Sequence, residues 1–233
     1  MASINGVTRS GNEPVEHLTA AVQAGGAERW AAMAALAESS DSRAYGALEA
    51  FAASADWTLR AAAVTALSQR SDGARATDLL RARLSDTSSY VVRAACDAVV
   101  TLRLSALRAP VVALVNAPEA ATRSAALRAL EAIWVREDTP IILQAYRVDR
   151  AASVRRDAAW VLRNRAEREM WPTLVSLWRS DSLARHRTWA CELAGASGAP
   201  PLREMVRSLV ADPDGHVRAA ARRAVGEAEP SAT

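Results

Sequence analysis

DPDGHVRAAARRAVGE, residues 212–227, holds the pattern that decides the fold. Val217 precedes Arg218, and Ala221 and Val225 follow it at three and seven places, the spacing of one helical face. Six more stretches superpose on this one without gaps: ERWAAMAAL, LRAAAVTAL, VRAACDAVV, TRSAALRAL, VRRDAAWVL and HRTWACELA. Their arginines are Arg29, Arg60, Arg93, Arg123, Arg155 and Arg187, so the seven lie 31, 33, 30, 32, 32 and 31 residues apart. Three places after each arginine stands Ala or Cys, and seven places after stands Leu, Val or Ala. An acid usually precedes the helix: Asp56, Asp86, Glu119, Asp149, Asp181, and Asp212 with Asp214. Such an acid can accept backbone N–H bonds and complements the helix dipole.

Between these helices run second segments, among them EPVEHLTAAVQA, AYGALEAFAAS, TPIILQAYRV and PPLREMVRSLV. Several open with proline (Pro14, Pro140, Pro172, Pro201), whose missing N–H costs little in a first turn. Each unit therefore reads as two antiparallel helices of about three turns. Neither helix can bury its stripe alone, so neighbouring units must stack.

Composition agrees. Of 233 residues, 54 are Ala and only 19 are Gly or Pro, which favours helix; at 5% aromatic the chain is poorly suited to a β-sandwich. Every one of the 29 basic residues is Arg, and Arg binds carboxylate or phosphate bidentately. Residues 1–57 hold three Arg against seven acids, whereas 58–233 hold 26 against 19, so an acidic end joins a basic body. No apolar run is long enough for a membrane span, and the N-terminus does not read as a secretory signal; the expected location is the cytoplasm. Cys96 and Cys191 read as small buried hydrophobes.

The repeat resembles that of the HEAT family, in the short bacterial form related to phycobilin-lyase repeats. The likeness is clearest in residues 212–227 and in RAASVRRDAAWVLR, residues 150–163. It implies an all-α, right-handed α-solenoid of about seven HEAT-type hairpins, forming one domain over 13–227, with flexible ends at 1–12 and 228–233. It also implies that the second helix of each hairpin lines a concave surface. With offsets −1, +3 and +7 from each arginine buried, offsets +1, +5 and +8 face outward and +4 lies at the margin. The centre of that surface then carries Asp97, Arg128, Glu131, Arg156, Trp160 and Arg163. Trp160 is the odd member, an indole on a face of alanine, serine and charge, and Trp and Arg dominate binding hot spots. The repeated arginines are expected to clamp adjacent repeats through acids or backbone carbonyls, while Trp134, Trp171, Trp178 and Trp189 fill gaps beside alanine.

His17, His186 and His216 have no metal-ligand spacing, and HExxH, CxxC and GxSxG are absent. A P-loop is excluded by the lack of lysine. No cofactor and no metal is expected. The reading is a non-enzymatic scaffold that binds an acidic protein partner through Arg128, Arg156, Trp160, Arg163, Arg123 and Glu131. An alternative comes from a weaker similarity to the HEAT-like alkylpurine DNA glycosylases. It implies Asp97 as the carboxylate that stabilises the cationic sugar, Trp160 and Arg163 at the lesion, and Arg123 on the DNA backbone. The family's Trp one turn before that Asp would fall here at Arg93.

Overall fold

The computed structural model describes residues 13–70 and 72–227. Among them the chain is all-α, with short 310 turns and no strand. Seven hairpins follow one another: α1 (Val15–Ala24) with α2 (Arg29–Glu38), α3 (Ser42–Ala52) with α4 (Trp57–Gln69), α5 (Thr77–Arg83) with α6 (Ser89–Leu102), and α7 (Arg108–Ala113) with α8 (Ala120–Ala132). Then come α9 (Thr139–Val148) with α10 (Ala152–Arg165), α11 (Trp171–Trp178) with α12 (Ala184–Ser197), and α13 (Pro200–Val206) with α14 (Gly215–Val225). The expected fold class, an all-α solenoid of HEAT-type hairpins, is what the chain adopts. The termini expected to be flexible, 1–12 and 228–233, lie outside the described residues.

By internal contacts the chain forms two compact bodies, one ending at Ala158 and the other starting at Ala159. In the first body the second helices pack side by side in chain order: α2 on α4, α4 on α6, α6 on α8. In the other, α12 packs on α14. Alanine makes this close approach possible. Ala32, Ala63, Ala126, Ala158, Ala190 and Ala221, the +3 residues of their repeats, are wholly buried. At Gly195 an added Cβ would lie 3.3 Å from the Cα of Ala224, so α12 and α14 nearly touch backbone to backbone. Leucines fill the rest, with Leu36, Leu67, Leu80, Leu127 and Leu130 in the first body and Leu162 and Leu174 in the second. Several first helices are shorter than three turns. α7 is flanked by 310 turns at Ser105–Leu107 and Leu114–Asn116, and it contains Pro110, which donates no helix bond.

Most of the repeated arginines are clamps. Arg60 donates through Nε (2.9 Å) and Nη2 (2.8 Å) to the carboxylate of Asp86 in the next hairpin, and through Nη1 to the carbonyls of Ser54 and Ala55. Arg123 does the same to Asp149, Ala117 and Pro118, and Arg187 to Asp212, Asp181 and Ser182. Arg155 and Arg218 keep the carbonyl half of the pattern. Each clamped Asp also accepts a backbone N–H two residues on, from Ser88, Ala151 or Asp214, which tightens the turn into the following helix. These are not helix caps of the kind Asp56 and Asp214 provide. The facing guanidinium and those N–H donors, acting against burial, hold the Asp86, Asp149 and Asp212 carboxyls below the ordinary carboxylate range, and each arginine is correspondingly raised.

One repeat departs from the expected register. Around Arg93 the residues Val91, Val92, Ala95, Cys96, Ala98 and Val99 are all buried, while Asp97 is exposed and Val100 only half-buried. The residue equivalent to Arg60 and Arg123 is therefore Val92, not Arg93. The repeat intervals become 31, 32, 31, 32, 32 and 31 residues. At this place the clamp is missing on both sides. Val92 replaces the arginine, and Ala117, six places before Arg123, replaces the aspartate that Asp86 and Asp149 supply elsewhere. A buried charge left without its partner is strongly unfavourable, whereas an apolar pair is not.

Candidate functional site

Shifting the third repeat by one place regularises the outward strip. Offset +1 now reads Trp30, Ala61, Arg93, Ser124, Arg156, Thr188 and Ala219, and offset +5 reads Ala34, Thr65, Asp97, Arg128, Trp160, Glu192 and Arg223. All seven residues at +5 are exposed. Offset +1 is mixed, because Ser124 is buried where helices crowd.

In the first body the strip is a charge ladder crossing α6, α8 and α10. Arg128 lies 3.5 Å from Asp97 and 3.9 Å from Asp157, which in turn lies 3.9 Å from Arg156. The Arg128 and Asp97 side chains are 49% and 63% exposed, so the ladder contributes little stability and stays open to exchange partners. Glu131 on α8 is half-buried and already engaged. Arg123 stands apart from this strip, its donors committed to Asp149 and to the carbonyls before α8. For Asp97, interactions at such exposure are attenuated by water, to about 1 kcal/mol at 4 Å. Stabilising a cationic sugar there would need a ligand that excludes this water.

In the second body Trp160 rises from the helix 47% exposed, its ring tilted on Trp189 with centroids 6.0 Å apart. Trp189 in turn packs on Trp178 and on the buried His186. The indole is thus braced from beneath. One turn on, Arg163 donates from Nη2 to Glu192 at 2.9 Å, and Arg222 and Arg223 on α14 bring further positive charge. Of the tryptophans expected to fill gaps, Trp178 and Trp189 are buried and Trp134 and Trp171 are half-buried.

A second aromatic group stands in the first body. Trp57, the first residue of α4, stacks on Tyr90 of α6 with centroids 4.7 Å apart and planes 29° apart. The Arg93 guanidinium covers the Tyr90 ring at 4.6 Å. Trp57 is 42% and Tyr90 57% exposed. Sequence reading passed over this group because Arg93 was counted with the clamps. The uneven intervals of 33 and 30 around it were the available signal.

Among the described residues no helix is long and apolar enough to cross a membrane, and no cluster of His, Cys, Asp and Glu could hold a metal ion.

Comparison with solved structures places the fold among known helical-repeat proteins. The chain is similar to the complex of CpcE and CpcF of phycocyanin lyase from Nostoc sp. PCC7120, at 20% identity and a TM-score of 0.58, over 97% of this chain and 91% of that one. It is similar to an archaeal HEAT-like repeat protein from Thermococcus onnurineus NA1, at 16% identity and a TM-score of 0.59, over 91% and 96%. It is also similar to YibA of Escherichia coli, at 16% identity and a TM-score of 0.66, over 92% and 82%. No curated protein matches the sequence. The family described as HEAT repeats matches residues 15–100 and 139–226, most of the chain, and together with the stacked second helices this establishes that the protein belongs to the HEAT-repeat family.

Proposed function

We propose that the chain is a non-enzymatic scaffold that grips an acidic segment of a protein partner on the outward strip of its second helices. The observation that carries this reading is Trp160, half-exposed in mid-helix yet braced on Trp189. An indole held rigid loses little entropy on binding and gives a partner a large apolar contact. The charge of the second body supports an acidic ligand: Arg163 offsets Glu192, and Arg223 on α14 stands at the same outward offset as Trp160. In the first body the ladder of Asp97, Arg128, Asp157 and Arg156 is close to neutral and favours register over affinity.

Affinity capture from native cell extract, with and without nuclease, tests the reading. A protein partner retained after nuclease and lost with Trp160→Ala, at unchanged melting temperature, is the expected result. Capture that disappears with nuclease, or direct retention of duplex DNA that falls steeply with salt, would move the assignment to nucleic acid. Release of free alkylated purine from such DNA, abolished by Asp97→Asn, would make the chain an enzyme.

A further inference from the structure

The acidic end of the chain contains a groove. Residues 13–57 hold seven acids against two arginines, Arg29 and Arg43. On the outward strip, offset +5 carries Asp97, Arg128, Trp160, Glu192 and Arg223 in the later repeats, but only Ala34 and Thr65 in the first two. These small side chains leave a groove of about 270 Å³ between α2 and α4. Trp30, Met33 and Ala34 line it from α2, and Ala62, Thr65 and Ala66 from α4. Trp30 is 49% exposed while Met33 and Ala66 are buried, so a half-exposed indole borders an apolar floor.

Carboxylates mark both ends of the groove. Glu28 precedes α2 and Asp56 caps α4, while Glu38 ends α2 one turn beyond Ala34. Glu28 and Glu38 are exposed, and the Asp56 side chain is 41% exposed. Two arginines stand nearby, and each is already matched. Arg29, whose guanidinium lies 5.9 Å from the Trp30 ring centre, donates from Nε to the Val22 carbonyl and faces Asp56 at 3.7 Å. The buried Arg70 is held by Asp72 and by the carbonyls of Leu36 and Ser39. Glu28 and Glu38 come in addition to these two pairs.

The shape and charge specify a ligand. Small-molecule sites take about 300–1,000 Å³, more than this groove offers, so one bulky aliphatic side chain is the better match. From Glu28 to Glu38 the helix rises about 15 Å. An extended segment advances about 3.3 Å per residue and turns every second side chain to the same side. A leucine in the groove therefore shares its side with the residues two places before and after it, which lie about 13 Å apart. Lysine or arginine at those two places meets the carboxylates at both ends. The same carboxylates oppose an acidic segment and a run of phosphates.

We propose that the groove between α2 and α4 seats an aliphatic side chain from an extended, basic segment of a partner protein, with lysine or arginine two residues to either side. This site lies in the first body and does not rest on the Trp160 reading.

A capped synthetic peptide of the order lysine–serine–leucine–serine–lysine serves as the probe. One control replaces both lysines by glutamate, and the other replaces leucine by serine. Binding is read from the Trp30 indole N–H and Thr65 amide resonances of the ¹⁵N-labelled protein. The probe should shift both saturably, the serine control should bind about tenfold more weakly, and the glutamate control should not bind. Glu38→Gln should weaken the probe about threefold. Ala34→Leu fills the groove from an exposed position and leaves Trp30 in place; at unchanged melting temperature it should abolish the Thr65 shift. Trp160→Ala should change nothing. No shift with the probe, equal binding of either control, or a response that survives Ala34→Leu would overturn the proposal. Loss of the response in Trp160→Ala would also overturn it, by assigning the peptide to the Trp160 face. So would a dimer in sedimentation that Trp30→Ala dissolves, since a second copy would then be the occupant. Failure of capture through Trp160 leaves the peptide response intact, so the two readings fail separately.

Discussion

Removing the Asp86 carboxylate should damage the protein more than removing the whole ion pair to which it belongs. Arg60 and Asp86 are 11% and 4% exposed and share two bonds of 2.9 and 2.8 Å. Asp86→Ala leaves the guanidinium without its carboxylate and the Ser88 N–H without its acceptor. Breaking a buried pair in this way costs about 3–5 kcal/mol. For a chain of this length that is a fall in melting temperature of roughly 6–20 °C. Arg83, which also reaches Asp86 at 3.3 Å, is 24% exposed and can turn to water, so it adds little. Combining Asp86→Ala with Arg60→Val reproduces the Val and Ala that the chain itself carries at positions 92 and 117. The pair should recover about 2 kcal/mol relative to the sum of the single variants, because no charge is left stranded. Urea and thermal melts of wild type, both single variants and the double variant complete the cycle. A coupling energy within about 0.5 kcal/mol of zero would refute the clamp argument.

Three further outcomes follow from the same structure. The Asp86, Asp149 and Asp212 carboxyls are depressed in the fold, so the stability they contribute is full above the unfolded Asp value of about 3.9 and is lost as pH falls through their lower folded values. Urea melts between pH 5 and 2 should therefore show declining stability, with a shallower decline in Asp149→Asn; equal slopes would exclude that carboxyl as a contributor. Gly46 is exposed in the middle of α3 and nothing lies within 4 Å of an added Cβ, so Gly46→Ala should gain about 0.5–1 kcal/mol, seen as a rise in melting temperature of about 1–4 °C. Burial pushes the Cys96 and Cys191 thiols up to about 12, so neither should react with a thiol reagent at pH 8 until the protein unfolds; modification in native buffer at the rate of a free thiol would contradict their placement.

The hairpins, the buried alanine stripe and the clamping role of most repeated arginines were legible in the sequence because each is written several times over. A single repeat could mislead without spoiling the period, and one did. The VRAACDAVV stretch carries an arginine one place from the proper position, and a gapless alignment on that residue accepted it. Burial corrects the error, since Asp97 cannot share the environment of the buried Met33, Val64 and Leu127 that the original register gave it. The exposure of Trp160 was likewise legible from its offset. The brace beneath it was not, because Trp189 belongs to the next hairpin and only packing joins them. Trp57 and Tyr90 lie 33 residues apart and outside the offsets read as outward, so their stacking left no mark on any single repeat.

The vacant rung at Val92 and Ala117 leaves one seam of the first body without the buried carboxylate that fastens its neighbours. Lowering the pH loosens every seam fastened by a buried carboxylate, yet at this edge α6 and α8 are joined through aliphatic contact, which protons do not touch, and the Asp97–Arg128 contact farther along the same helices is too exposed to add much. Acid should therefore reverse the ranking of the joints, turning the place that lacks a fastener into the last to open.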